Sequence, residues 1–363
     1  MEKENKNIWL TYSAEEKEEL HKICELYKSW LDKGKTEREC VELAVELAEK
    51  AGYHNFEEYL SEERQIQKGE KIYAVCMKKC IVLFRMGAEP ISAGMNILGA
   101  HIDSPRIDIK QNPLYEKDDF TYLDTHYYGG IKKYQWVTQP LALHGVVVKK
   151  DGSCVNISIG EREDEPVFVI TDLLVHLASK QLEKKAGEVI EGEKLDILVG
   201  NCPIERDENL KEEKETVKAN VLKILEEAYG IREEDFASAE LEIVPSGKAR
   251  DIGFDRSMIL AYGQDDRICA FTSIMAMLSV EESSRTVCCL LVDKEEIGSV
   301  GATGMHSRFF ENVVAELIAL TEGESDIKVR RALANSKMLS SDVSAAYDPQ
   351  FEEVFEKRSA AYL

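Results

Sequence analysis

The run Thr286-Val-Cys-Cys-Leu-Leu-Val-Asp293-Lys-Glu295-Glu296-Ile-Gly298 constrains this chain more than any other segment. An unbroken apolar stretch closed by Gly reads as a buried strand, and the carboxyl end of such a strand is where open α/β sheets place their sites. Two adjacent carboxylates at that position repel each other unless a cation sits between or beside them. A dinuclear hydrolase needs such a pair, one to hold a metal and the other to accept a proton from water. Alone, a Glu-Glu pair reads first as an acidic turn on a solvated edge.

Three further segments repeat the pattern of an apolar run followed by an acid or His. Met95-Asn-Ile-Leu-Gly-Ala100 leads into His101-Ile-Asp103, where an imidazole suits zinc and a nearby carboxylate can fix its tautomer. Met258-Ile-Leu-Ala-Tyr262-Gly263-Gln264 leads into Asp265-Asp266, at the start of a helical stretch from Ile268 to Ser279. A paired Asp at such a junction also serves as an ordinary helix cap. Lys337-Met-Leu-Ser-Ser-Asp342 completes the set, and on its own Asp342 reads as an Asx-turn residue.

In order, GAHIDSPRID (99–108), YGQDDRICAF (262–271), DKEEIGSVGATG (293–304) and SSDVSAAYDP (340–349) resemble the co-catalytic zinc aminopeptidases of the aspartyl aminopeptidase and vacuolar aminopeptidase I family. The resemblance covers most of the chain. It implies an exopeptidase with two divalent ions, zinc or else cobalt or manganese, and a water bridging them. It further implies His101 and Glu296 as ligands to separate ions, Asp265 as the bridging carboxylate, Asp342 as a ligand on the His101 side and Glu295 as general base. Asp103 would orient His101, and Asp266 would support the bridge.

The resembled family carries a second metal-binding His near its C-terminus. None of His21, His54, His101, His126, His144, His176 and His306 follows Asp342, and the matched text breaks off at Leu363. The expectation is a truncated chain lacking that ligand; the alternative is a family member that has lost it.

A 363-residue chain that is 44% hydrophobic can build one large or two moderate cores. Its formal net charge of −22 argues against nucleic acid and anionic membrane surfaces as partners. No apolar stretch approaches the roughly 20 residues of a membrane span, and Met-Glu-Lys-Glu-Asn-Lys has no signal-peptide core, so the expected location is cytoplasmic. Nine scattered Cys make a poor disulfide framework. Cys76-x-x-x-Cys80 lacks a second pair for a metal knuckle and is read as structural.

The chain opens with two capping-box helices, at Ser13-Ala-Glu-Glu16 and Thr36-Glu-Arg-Glu39. Strand-like runs follow at Ile72–Met77, Cys80–Met86 and Asn96–Ile102. From Ile107 the texture turns to short β-rich runs, at Thr121–Tyr128, Trp136–Thr138, Leu141–Lys149 and Val155–Ile159, with a hairpin turn at Asp151-Gly152. An acid-rich helical segment, Asn209–Tyr229, and a strand at Leu241–Pro245 precede the return of the metal motifs. The expected architecture is therefore an α/β fold, a mixed sheet sandwiched by helices, interrupted by a mainly β insertion. Residues 1–106 and 246–363 form the expected catalytic domain, and 107–245 the insertion, which the resemblance makes a dimerisation domain in a dodecamer built from dimers.

His176, in Ile170-Thr-Asp-Leu-Leu-Val-His176, is placed on a largely apolar helix as a core or interface residue; the resemblance offers it a substrate-binding role in a neighbouring subunit. His144 reads as structural. Gly298-x-x-Gly301-x-x-Gly304 has the wrong spacing for a dinucleotide loop, and the glutamate pair stands where a phosphate would approach. The expected function is removal of N-terminal residues from peptides with a free amine. A pseudo-peptidase retained for assembly and a related dinuclear carboxypeptidase or deacylase are the alternatives.

Overall fold

Both N-terminal helices begin where their caps dictate. In a computed structural model that describes residues 7–62, 64–204 and 215–362, Ser13 Oγ accepts the Glu16 amide and Glu16 Oε2 accepts the Ser13 amide at 2.7 Å. Thr36 and Glu39 make the same reciprocal pair. These caps start helices Ala14–Lys33 and Glu37–Lys50; each such cap contributes about 1 kcal/mol.

The chain divides into two compact units, Met1–Asp103 with Gly263–Leu363, and Ser104–Tyr262. The first unit is built on a sheet ordered His54–Asn55, Lys71–Cys76, Cys80–Arg85, Val287–Val292, Asn96–His101, Lys337–Ser340. Val287–Val292 and Lys337–Ser340 both run parallel to Asn96–His101, whereas Cys80–Arg85 is antiparallel to Val287–Val292. One face buries Val82, Phe84 and Leu290 against Val314, Leu317 and Ile318 of helix Phe309–Glu322. Ile81, Leu83, Cys289 and Leu291, which alternate with them, are equally buried and face the helices Glu37–Lys50 and Gln264–Ser279. Burying one such Leu, Ile or Phe side chain is worth about 1.5–3 kcal/mol. Helices on both faces explain why these strands are continuously apolar.

The second unit is a six-stranded antiparallel sheet, ordered Cys154–Ile159, Leu141–Val148, Ala239–Pro245, Arg106–Lys117, Phe120–Tyr128, Ile197–Gly200. Its core includes Ile107, Leu143, Val147, Ile197 and Ile243. Helix Thr216–Tyr229 covers part of one face through Val217, Val221 and Leu225; the start of the expected helix, 209–214, lies outside the described residues.

Several expectations are corrected. The second unit ends at Tyr262 rather than 245, because Arg250–Ile252 and Met258–Leu260 pair into a separate hairpin and Tyr262 packs edge-on against Trp136, ring centroids 6.5 Å apart. Met258–Leu260 is consequently no strand of the first unit's sheet. Trp136–Thr138 is a turn and not a strand: a 3-10 turn at Lys133–Gln135 precedes it, and Thr138 takes a φ of 59° that no strand allows. His176 sits in an exposed turn, not on an apolar helix, and the nearest helix is the short Ser179–Leu182.

Candidate active site

Three adjacent parallel strands bring their carboxyl ends to one edge of the sheet, with Val292 in register with His101 and Ser340 with Gly99. The residues just beyond each strand therefore converge: His101 and Asp103 from one, Glu295 and Glu296 from the second, Asp342 from the third. Asp265 and Asp266 arrive by another route, at the irregular first turn of helix Gln264–Ser279. Gly263 makes that entry possible. Its φ is 81°, and a Cβ there would lie 1.9 Å from Arg267 Nη1, so a side chain would displace the buried arginine that donates to the Lys35 carbonyl at 2.8 Å.

His101 is the hub. Its Nε2 lies 3.2 Å from Asp265 Oδ1, 3.9 Å from Glu295 Oε2 and 4.0 Å from Asp342 Oδ1. Its Nδ1 faces Asp103, 3.0 Å from the backbone oxygen and 3.3 Å from Oδ1. Asp103, fully buried, also accepts the backbone amides of Glu295 at Oδ1 (3.2 Å) and Glu296 at Oδ2 (3.3 Å). One carboxylate thus fixes both the imidazole and the turn that carries the glutamate pair. Potential ligand atoms of His101, Asp265 and Glu296 lie within 4.8 Å of one another, and so do those of His101, Asp266 and Asp342.

The electrostatics are those of a site short of positive charge. Burial opposes protonation of His101, but Asp103, with help from Asp266 and Glu295, outweighs it and lifts the imidazole to about 9. Burial, reinforced by Asp265, pushes Glu296 up to about 7. Burial likewise lifts Asp266 to about 6, and both of its fully buried oxygens lack a hydrogen-bond partner. Carboxylates held this close and this dry fit a divalent cation, and a donor set of one imidazole with several carboxylates suits zinc.

The structure brings together His101, Asp103, Asp265, Asp266, Glu295, Glu296 and Asp342. His176 belongs to the second unit, Ser104–Tyr262. Two supports are not legible in the sequence. Asp293, fully buried, accepts from Thr303 Oγ1 at 2.6 Å and from the Lys294 amide at 2.8 Å, anchoring the glutamate turn from below. The Cys269 thiol lies beside Asp266, and its pKa is raised by burial and by that carboxylate. A helical i, i+3 spacing from Asp266 to Cys269 is the one signal that points to the second.

The family model for aminopeptidase I zinc metalloproteases (M18) matches residues 30–363. A probable M18 family aminopeptidase 1 of Clostridium acetobutylicum is 56% identical over 361 residues, covering 99% of this chain and 77% of the relative. The crystal structure of aminopeptidase I from Clostridium acetobutylicum superposes with a TM-score of 0.90 at 53% identity, covering 100% of this chain and 78% of that one. An M18 aminopeptidase structure from Thermotoga maritima gives 0.91 at 40% identity, covering 99% and 76%. A yeast aminopeptidase 1 structure shares the fold, with a TM-score of 0.74 at 22% identity over 94% of this chain and 76% of that one. The chain belongs to the M18 family of zinc metalloproteases, as a metal-dependent aminopeptidase.

Proposed function

We propose that the chain removes N-terminal residues from peptides with two divalent ions, zinc or else cobalt or manganese, and a water shared between them. The observation that carries this reading is the convergence of His101, Asp265, Asp266, Glu296 and Asp342 within ligand reach, with two oxygens of a buried carboxylate unpartnered. In this reading His101 and Asp342 would hold one ion, Glu296 would hold the other, and Asp265 would serve both with Asp266 in support. When bound, such ions polarise the scissile carbonyl and bring the pKa of water toward neutrality.

The chain's own residues do the rest. Glu295 accepts the proton from the attacking water and passes it to the leaving amine, a role its half-exposed side chain near His101 permits. Asp103 presents Nε2 of His101 to the site by holding Nδ1, and through the two amides it keeps Glu295 and Glu296 in register. The acidic surroundings attract the free α-amino group, which restricts action to the peptide's N-terminus.

In the same reading the unit Ser104–Tyr262 is a dimerisation domain, and the assembly is a dodecamer built from dimers in the cytoplasm. Leu173, Leu174, Val175 and Leu177 are exposed around His176, an apolar patch suited to a second copy of this chain, and His176 contributes to that copy's substrate site. A yeast relative with the same fold is described as a dodecamer.

Glu295→Gln tests the reading. Zinc content by elemental analysis should stay at the wild-type value while kcat falls about 10² to 10⁴-fold. Zinc lost from this variant, with activity restored by added metal, would exchange the roles of Glu295 and Glu296. Wild-type protein that hydrolyses N-acetylated peptides as fast as free ones would be a carboxypeptidase or deacylase instead.

A further inference from the structure

Gly298-Ser-Val-Gly301-Ala-Thr-Gly304 follows the glutamate turn and holds no acid, His or Cys. It folds back onto that turn, and its contacts meet at one peptide group. Thr303, 3% exposed, closes a two-point clasp on fully buried Asp293: its Oγ1 donates to Asp293 Oδ2 at 2.6 Å, and its carbonyl accepts the Asp293 amide at 3.3 Å. Asp293 Oδ1 then accepts the Lys294 amide at 2.8 Å. The Lys294 carbonyl in turn accepts the amides of Ser299 at 2.6 Å and Ile297 at 3.3 Å. That carbonyl shares its peptide group with the Glu295 amide, which donates to Asp103 at 3.2 Å. The peptide plane from which Glu295 starts is therefore held from both sides, by the loop and by Asp103.

The fold-back needs a glycine. A Cβ at Gly304 would lie 2.3 Å from the Ser299 carbonyl oxygen, so a side chain there would drive the loop off the turn. Lys294 and Ser299, with φ of 69° and 61°, occupy the left-handed region that residues other than glycine seldom adopt. Such conformations persist only where the surrounding contacts over-determine them, and the clasp supplies those contacts.

We propose that Thr303 is a positioning residue for Glu295: through Asp293 and the Lys294 peptide it aims the carboxylate that takes the proton, and losing its hydroxyl slows that transfer without releasing zinc. The inference rests on the reading of Glu295 as general base and extends it to a residue outside the acidic cluster.

A double-mutant cycle in zinc-loaded protein tests this, on the amino acid 4-nitroanilide that wild type cleaves fastest. Thr303→Val keeps the shape and drops the hydroxyl; it should lower kcat about tenfold or more, since a misplacement of about 1 Å can cost 10²-fold. KM and zinc content should stay within about twofold of wild type, because neither depends on where the proton goes. Thr303→Ser restores the donor and should keep kcat within about threefold. In the Glu295→Gln background Thr303→Val should change kcat by less than about twofold, because residues that act as a unit are not additive. Hydrogen exchange read by mass spectrometry is a second readout, in which the Glu295 and Glu296 amides should lose protection in Thr303→Val. Thr303→Ala, which leaves room for a water on Asp293, carries the same expectations if the valine chain folds poorly.

Wild-type kcat in Thr303→Val, an equal loss in the Glu295→Gln background, or zinc lost with kcat restored by added metal would overturn the proposal. Wild-type kcat in Glu295→Gln itself would instead refute the general base. Lost protection at the two amides in Thr303→Val would then still support Thr303 as the residue that positions the turn, and unchanged protection would overturn that as well.

Discussion

Both units bury charge, but they balance it differently. In the second unit Arg106, 4% exposed, lies 2.8 Å from Asp108 and 3.2 Å from Glu242 with its guanidinium 3.9 Å from the centroid of the Tyr128 ring, and buried His144 meets Glu161 at 3.2 Å. The buried Arg106 guanidinium has anions at hand, the usual condition for tolerating charge in an interior, and buried His144 has a carboxylate partner. At the sheet edge of the first unit, six carboxylates, those of Asp103, Asp265, Asp266, Glu295, Glu296 and Asp342, gather around one imidazole. Balanced burial is what a scaffold needs. An acid excess around an imidazole within ligand reach is what a metal centre needs.

The strongest way to break this comparison is Asp265→Asn, which keeps the size of the carboxylate and removes its charge. If Asp265 lies between two ions, zinc affinity should fall by more than the about 10 to 100-fold typical of an outer partner, and peptidase activity should disappear with it. Zinc titration that still finds two tight ions would refute the bridging role.

Arg106→Met probes the other side of the contrast. It removes the guanidinium from Asp108 and Glu242 in the second unit and should cost about 1–3 kcal/mol in chemical denaturation. If the two charge systems are independent, zinc affinity per folded chain should stay within about twofold. A parallel loss of zinc would mean that the two charge systems are one.

Asp103→Asn should act between these extremes. It weakens the hold on His101 Nδ1 and on the amides of Glu295 and Glu296, so zinc affinity should drop about 10 to 100-fold, with kcat at saturating zinc recovering in part. Wild-type affinity in this variant would reduce Asp103 to a packing residue.

The smallest effect is on pH dependence. In the metal-free protein His101 titrates at about 9 against an ordinary 6.5, Glu296 at about 7 against 4.5, and Asp266 at about 6 against 3.8. Each group binds its proton more tightly folded than unfolded, so its contribution is complete below the unfolded value and is lost as pH rises through the folded one. The melting temperature of zinc-free protein should therefore decline between about pH 6 and 9. Zinc must displace these protons, so its affinity should rise over the same range, measurable as proton release in calorimetry with buffers of different ionisation enthalpy. A metal-free protein that becomes more stable over that range would contradict the raised values.

Much of the fold and the site is legible in the residues. Ser13 with Glu16 and Thr36 with Glu39 start their helices because capping is local. The runs ending at His101 and Val292 are strands because both faces are covered. The set from His101 to Asp342 can be picked out because parallel strands lying side by side deliver their next residues to one edge. The hidden features depend on contacts far apart in sequence. Trp136 has strand propensity, yet it turns to meet Tyr262. His176 sits among apolar residues whose periodicity suggests a helix, yet they stand exposed in a turn. Asp265 reads as the end of a sheet strand because Met258–Leu260 is a strand, though of a separate hairpin. The clasp from Thr303 to Asp293 and the close approach of Gly304 to Ser299 exist only once the chain has folded.

The central claim is that the acid excess in the first unit is a two-ion centre, and anomalous diffraction at the zinc edge from crystals of the zinc-loaded protein tests it most directly. The account predicts two peaks about 3.5–4 Å apart, both within ligand distance of Asp265, one beside His101 and Asp342 and the other beside Glu296. A single peak, or peaks remote from Asp265 with these carboxylates left bare, would contradict it.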